Sequence, residues 1–590
     1  MYVNEASEEA NKISAVMSVE RQDDSHNESE SDSESDNDDE EGEREVVDDC
    51  SKDDCGASLD STPVYDLDIS SHVYKWIESA DEMLKGMLLK KLAKLRAGHN
   101  SYAMCKRLKG TVNTPVFETK LDSGQRILWT KVNRENERAS IIVWRVSKHD
   151  DVSRNMHCID ASLNRVAGLS ISPNSETLLL SESQVLLDPF GNSPLKLFCK
   201  RESEPISTSS KFPLRLTKKE KEINDSTGAV LIFGRSGTGK TVCLCDRIRK
   251  DKEAIPSVRQ LFVARSSNLC SLVKAYQQSS SDVGLSDTKF ITWKEFLQKM
   301  DKSISRSKGK SKIYFTADRR VTFIRFRDEL WGKIRSKRSK RFVDGMNLSP
   351  SVVWTQIQSF LKGSIEVVID NQFSFLTEQQ YNDRTVFPKD RCRLETDQRK
   401  EAYAIFETYQ ELLSEMKLWD DSDKVLDLLR RSELDVYSDS SVSMFSDDDS
   451  CKFYDKVYID EIQDFSQAET VLFFLSTGLN TQSAFMVGDT AQAVEEGISF
   501  RFEEIRSTVH KLSNKTQTIT KPFKLETNFR SHSGVLTLAA AVLVKMFLAF
   551  PASSSAHTTD SGMDDYYYYQ CYNHNNYNYY NIRYISWTKT

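Results

Sequence analysis

Several features that would assign this chain quickly are missing from it. Its eleven cysteines, among them Cys50, Cys105, Cys158, Cys243, Cys245, Cys270 and Cys451, form no C-x-x-C pair. Histidine comes near cysteine only at His157 beside Cys158 and at His574 after Cys571, and neither is a full ligand set, so zinc is not indicated. The odd thiol count and the lack of a signal peptide point to a reducing intracellular setting, nucleus or cytoplasm. No apolar run is long enough for a membrane span. The longest, Val535 to Phe550, is interrupted by Thr537 and Lys545 and reads as a buried helix. No ankyrin or TPR period is visible.

What is present is unevenly distributed. The 590 residues allow several domains, and the formal charge of −8 conceals a segment, Asp23 to Asp54, with seventeen acidic and two basic residues. The rest of the chain carries +7, which suits a polyanionic partner without requiring one. Residues 1–61 are too poor in apolar groups to offset chain entropy, so disorder is expected there, as a phosphorylatable acidic tail or a plain solvating leader.

The octapeptide GRSGTGKT follows the apolar run Ala229 to Phe233 and fits a strand, glycine loop and helix that cradle nucleotide phosphates. Gly234, Arg235, Ser236, Gly237, Thr238 and Gly239 form the loop, and its glycines let backbone N–H groups turn toward anionic oxygens. Lys240 supplies charge to the β- and γ-phosphates, and the Thr241 hydroxyl is a Mg²⁺ ligand in such loops. Further along, KVYIDEIQD puts Asp460 and Glu461 at the end of the strand-like run Val457 to Ile459. Asp460 there suits hydrated Mg²⁺, and Glu461 suits accepting a proton from an attacking water. Gln492 and Arg530 follow two more strand-like runs, and Arg530 reads either as a transition-state charge or as a surface ion pair.

Alternation of strands (Gln260 to Arg265, Lys289 to Trp293) with helical segments implies a parallel sheet covered on both faces. Upstream, Val64 to His149 reads as a helical stretch, Val73 to Leu95, and three strands at Pro115 to Leu121, Arg126 to Val132 and Ser140 to Val146, with a turn at Asp122 to Gln125. Lys302 to Arg341 holds fifteen basic and three acidic residues interleaved with Tyr314, Phe323, Phe326 and Trp331. These residues offer either a single-strand platform or a helix with a ring core and a wet charged face. KIRSKRSKR within the block also reads as an import signal.

In order and wording, GRSGTGKT, IDEIQD, VGDTAQ and ETNFRSHS resemble successive motifs of the UvrD/Rep-like superfamily 1A helicases. SPSVVWTQIQSFLKGS and RKEAYAIFETYQELL resemble the UvrD-like portion of TPR-and-ankyrin-repeat-containing proteins. The resemblance implies an α/β fold with a P-loop RecA-like parallel sheet and a helical insertion, using ATP and Mg²⁺ and acting on single-stranded DNA or RNA. It implies that Lys240 and Thr241 bind phosphate and Mg²⁺, that Asp460 and Glu461 are the metal and catalytic acids, that Gln492 senses the γ-phosphate and that Arg530 is an arginine finger. LFVARSSNL and FITWKEFL resemble segments beside the nucleic-acid track. The family's adenine-gripping glutamine is replaced by Glu220, whose carboxylate cannot donate to adenine N7.

KRLKGTVNTPVFETKL and the two runs after it resemble the RelE/ParE-like toxin fold, some members of which cut RNA with basic side chains; Arg126, Lys131 and Arg145 would be the participants. The family's later motifs are not found before the Tyr/Asn-rich tract Asp564 to Trp587, so the motor is expected to be truncated after its first domain, or to end in a sticky tail. The expected organisation is an acidic segment 1–61, a small α+β domain 64–151, a connector 152–211, an ATP-binding domain 212–300 with 451–551, an insertion 301–450 and a low-complexity tail 552–590.

Overall fold

The computed structural model describes residues 64–549 with interruptions at 100, 102–103, 112–113, 136, 167–168, 172–175, 182–183, 192, 201–205, 207–211, 281–283, 285–286, 308–314, 340–347, 433–452, 490–491, 493–494, 500, 514, 520–521 and 532. The acidic segment, the Tyr/Asn tail and Tyr314 lie outside the described residues.

The amino-terminal module starts with β1 (Asp66–Ile69) and two helices, α1 (Ser71–Ser79) and α2 (Glu82–Arg96). The helical spacing from Val73 to Leu95 is divided because Ser70 and Asp81 each cap a new start, their side chains accepting from Val73 N and Leu84 N. Then come β2 (Lys106–Arg107), β3 (Phe117–Lys120), β4 (Gln125–Arg134), β5 (Ser140–Lys148), α3 (Val152–Asn164), β6 (Ser170–Ile171), β7 (Leu178–Leu180) and β8 (Phe198–Lys200). The turn before β4 is fixed by Asp122 Oδ1, which accepts from Gly124 N at 2.8 Å and Gln125 N at 2.6 Å.

These strands make one eight-stranded sheet ordered β2-β3-β4-β5-β1-β8, with β7 on the end of β4 and β6 on β7. Alternate residues of β4 and β5 face opposite ways. Ile127, Trp129, Ile141 and Val143 pack with α1 and α2, whereas Leu128, Ile142 and Trp144 pack with α3. The expected connector from residue 152 therefore supplies a helix and three strands to this module, which is larger than the expected 64–151. Its short strands lie among Ser and Pro and have no periodicity to reveal them.

The second unit of structure opens with α4 (Lys218–Asp225), followed by β9 (Val230–Gly234), α5 (Lys240–Ala254), β10 (Gln260–Ala264), α6 (Ser267–Ser280), β11 (Thr288–Thr292) and α7 (Trp293–Ser307). After the insertion it resumes with β12 (Lys456–Ile459), α10 (Gln467–Leu475), β13 (Ala484–Gly488), α11 (Phe502–Leu512), β14 (Phe523–Leu525) and α12 (Ser533–Ala549), the labels α8 and α9 falling to the insertion helices Thr396–Met416 and Asp421–Arg431. The six strands are all parallel, in the order β11-β10-β12-β13-β9-β14. Both faces are covered, which is why the strands read as continuous apolar runs. Val230, Ile232, Phe262, Ala264, Tyr458, Phe485 and Val487 pack toward α4, α5 and α6. Leu231, Leu261, Val263, Val457, Ile459 and Met486 pack toward α7, α10 and α11. The helices after β9 and β10 lie on one face and those after β11, β12 and β13 on the other, so the neighbours β13 and β9 send their helices to opposite faces, and the carboxyl ends at such a place are where sheets of this kind bind ligands.

The insertion is helical and shares its core with α7 and α10. Inside it Lys362, fully buried, donates to Asp420 Oδ2 and Asp423 Oδ1, both at 2.7 Å, while Tyr409 OH donates to Asp420 Oδ2 at 2.9 Å. A second cluster ties the insertion helix Ile365–Ile369 to α11: Arg391 grips Glu366 at 2.9 and 3.0 Å and Glu504 at 3.2 Å, and Lys511 reaches Glu366 at 2.7 Å. The apolar run from Val535 forms α12, but the expectation of burial is overturned, since Val535, Leu538 and Val542 are 60 to 69% exposed. Among the described residues no helix is long and apolar enough to cross a membrane.

Candidate functional site

The loop between β9 and α5 is shaped by glycines that no other residue replaces without strain. Gly237 and Gly239 have φ of +77° and +95°. A Cβ at Gly234 would lie 2.4 Å from Thr238 Oγ1 and 2.9 Å from Leu525 O. Gly239 caps α5 without a side chain, so the first N–H groups of a fifteen-residue helix face the loop, the arrangement that attracts anions. Lys240, 7% exposed, donates to Gly234 O at 2.8 Å and Arg235 O at 3.2 Å, which lays its ammonium along the loop.

Segments far apart in sequence meet here. Thr241 Oγ1 donates to Asp460 Oδ2 at 2.9 Å across 219 positions. Arg235 Nη1 is 2.9 Å from Asp489 Oδ1, joining the loop to the end of β13. After β14, Phe529 N donates to Gly237 O at 2.9 Å, Asn528 Nδ2 donates to Ser236 O, and Arg530 Nη1 donates to Ser236 Oγ at 2.9 Å. Asp460 is fully buried, and that burial, reinforced by Glu461 and opposed by Thr241, pushes its carboxyl up to about 6. Glu461 holds the left-handed conformation, φ +54°, which a non-glycine residue adopts at a cost. A hydroxyl beside a carboxylate is a hard-oxygen donor pair that fits Mg²⁺.

Hydrogen bonds thus bring Thr241 to Asp460 and Arg530 to the loop that holds Lys240, with Glu461 beside Asp460, its N–H on Asp460 Oδ1 at 3.0 Å. Gln492 sits in the turn beyond β13, its N–H on Asp489 O at 3.0 Å, and its side chain has no hydrogen bond among the described residues. A residue not singled out in the sequence links the acidic pair to β13: Gln463 Nε2 donates to Glu461 Oε2 at 2.7 Å, and Gln463 Oε1 accepts from Asp489 N at 2.9 Å. Its only sequence signal is its place inside IDEIQD. Asp489 is the acid of VGDTAQ, directly after β13.

The residues expected to meet nucleic acid are largely occupied otherwise. Phe326 is fully buried against Trp331, Trp354 and Tyr409, so this ring of the basic block is core and not a stacking platform. Arg320, Arg325 and Lys337 pair with Asp421, Glu329 and Glu415. Arg265, just after β10, donates to Asp464 O at 2.7 Å and Glu469 at 3.0 Å, and its guanidinium lies 4.6 Å from the Phe465 ring. Beside it is a cavity of about 260 Å³ lined by Trp354, Gln358, Glu469, Glu495 and Glu496. In the amino-terminal module Arg126 donates to Asp122 O and Gln125 O, Lys131 lies over Phe117, and Arg145 lies 4.4 Å from the Phe190 ring centroid.

Residues 272–508 match the family model of the UvrD/REP helicase N-terminal domain, a span that contains Asp460, Glu461 and Gln492 and starts after the phosphate loop. Over 275 residues, 45% of this chain, the sequence is 33% identical to human TPR and ankyrin repeat-containing protein 1. The aligned part is 8% of that relative's length. A UvrD-like helicase domain suggests a helicase-related nucleotide-binding function.

Proposed function

We propose that the six-stranded unit is a RecA-like ATPase of the helicase kind, with Mg·ATP bound between the GRSGTGKT loop and the Asp460–Glu461 pair. The observation that carries this reading is the Thr241–Asp460 hydrogen bond next to Lys240, which puts cation, hydroxyl and carboxylate in one crevice. Mg²⁺, when bound, would neutralise charge on the phosphate oxygens. Lys240 exchanges the carbonyls of Gly234 and Arg235 for β- and γ-phosphate oxygens. The N–H groups of Gly237, Gly239 and the start of α5 hold the phosphates in place. Glu461, oriented by Gln463, accepts the proton of the attacking water. Arg530 leaves Ser236 Oγ to offset charge on the transferring phosphoryl group, and Gln492 reports whether the γ-phosphate is present.

A single strand of DNA or RNA is the proposed partner, closing the crevice and stimulating turnover. The full chain should release phosphate from ATP at a rate that rises with added single strands and is lost in Lys240→Ala. Turnover that persists in Lys240→Ala would end the reading.

A second reading, a nucleotide-binding scaffold or regulator without unwinding activity, is favoured by the surface beside Arg265. That cation is engaged by Glu469, and the neighbouring cavity sets Asp421, Glu469, Glu495 and Glu496 against Arg265 and Arg320, an acidic excess that disfavours a phosphate backbone. It predicts a raised melting temperature with Mg·ATP, negligible phosphate release and no response to single strands.

A further inference from the structure

Lys196 belongs to the amino-terminal module, between β7 and β8, yet its ammonium pairs with Glu220 of α4 and lies 4.6 Å from the centroid of the Phe529 ring. Both partners touch the phosphate loop. A Cβ on Gly239 would come within 2.3 Å of Glu220 Oε1, so the carboxylate is packed directly against the loop backbone. Phe529 N–H donates to Gly237 O at 2.9 Å.

Glu220 is 1% exposed. Its Oε2 accepts from Lys196 and from Thr217 N and Oγ1 at 2.7 and 3.0 Å, while its buried Oε1 has no hydrogen-bond partner. A negative charge is therefore held against a loop whose dipoles are arranged for anions. Left alone it would oppose phosphate binding, and being buried it would be screened little by salt. The counter-charge comes from outside the sheet unit. The module that carries it is fixed to the chain entering α4 by Arg215, which bonds Asp68 of β1 at 2.8 Å, and by Lys221 paired with Glu137.

We propose that Lys196 is a positioning residue supplied by the amino-terminal module: it neutralises Glu220 and steadies Phe529, so that the phosphate loop keeps its attraction for a triphosphate only while that module is docked. Nucleotide affinity then depends on the module, which gives the α+β module a regulatory part in the ATP site. The inference rests on the loop being a nucleotide site, as proposed above.

The test is titration of the full chain with fluorescent N-methylanthraniloyl-ATP and the matching ADP analogue in Mg²⁺, using wild type, Lys196→Met, Glu220→Gln and the double variant. Lys196→Met should lose about tenfold in ATP affinity and less in ADP affinity, because the effect scales with phosphate charge. Glu220→Gln should gain more affinity for ATP than for ADP, since glutamine keeps the cap and removes the charge, whereas an equal gain for both nucleotides, the mark of an amide contact to adenine, overturns the charge role. The double variant should return to within about twofold of wild type, because the opposing charge is gone. Unchanged ATP binding in Lys196→Met, or equal loss of both nucleotides without rescue by Glu220→Gln, overturns the proposal. If Lys196→Met does not fold by thermal melt, a loss of ATP affinity in Glu220→Gln alone overturns it. A wild-type chain that binds neither nucleotide overturns the ATP reading itself, and this inference with it.

Discussion

Thr241 and Asp460 share a 2.9 Å hydrogen bond at the carboxyl ends of β9 and β12, two strands that are not neighbours because β13 runs between them. The bond crosses that gap at the place proposed above for Mg·ATP. Thr241→Val keeps the shape and removes the donor. It should lower Mg·ATP affinity by about tenfold, the equivalent of about 1.4 kcal/mol, and leave affinity in excess EDTA nearly unchanged. Paired titrations with and without chelator distinguish this from general damage to the loop.

Gly237→Ala should harm the loop without changing any charge. The new Cβ would lie 2.6 Å from Arg530 Cβ and 2.8 Å from Asn528 Nδ2, at a φ of +77°. A stability loss of about 1–2 kcal/mol is expected, together with weaker nucleotide binding as Arg530 and Asn528 are pushed aside. Urea melts and ATP titrations measure the two effects separately.

Glu366 and Glu504 compete for Arg391 and are driven in opposite directions. Burial disfavours both carboxylates, but the paired Arg391 and Lys511 hold Glu366 down to about 2, whereas burial pushes Glu504 up to about 7. The folded pKa of Glu366 lies below its ordinary 4.5, so its contribution is full above that value and is lost as the pH falls toward 2. For Glu504 the sign reverses: the folded chain keeps a proton that the unfolded chain gives up, and stability drains away as pH rises from 4.5 through about 7. Glu504→Gln should therefore stabilise the chain by about 1–2 kcal/mol at pH 8 and by almost nothing at pH 5, as read from urea midpoints.

Lys362 tests the insertion. Lys362→Met would leave the fully buried Asp420 and the partly buried Asp423 without their cation and should cost about 3–5 kcal/mol. Replacing all three charges together, Lys362→Met with Asp420→Asn and Asp423→Asn, should cost less than the single change. Denaturant melts compare the two.

The second sheet could be read from the sequence because its strands are buried on both faces, so each of Val230 to Gly234, Leu261 to Ala264 and Ala484 to Gly488 is an unbroken apolar run with chemistry at its end. The loop residues and the acidic pair were visible for the same reason. The role of Lys196 was hidden, since it lies in an aperiodic stretch and gains meaning only from a partner 24 positions away and a ring beyond 300. The exposure of α12 was illegible too, because hydrophobic content shows that a helix has an apolar side but not what covers it. Phe326 of the basic block went inward because Trp331, Trp354 and Tyr409 surround it, and spacing alone left that open.

The strand order has a consequence for how the chain is made. β9 pairs only with β13 and β14, both of which leave the ribosome some two hundred and fifty or more residues later, while its sequence successor β10 lies three places away in the sheet. Throughout translation of the helical insertion, the strand carrying the glycine loop has neither edge satisfied. A nascent polypeptide stalled before Ala484 would expose it as a template for aggregation, so chaperone protection should be needed most during that interval.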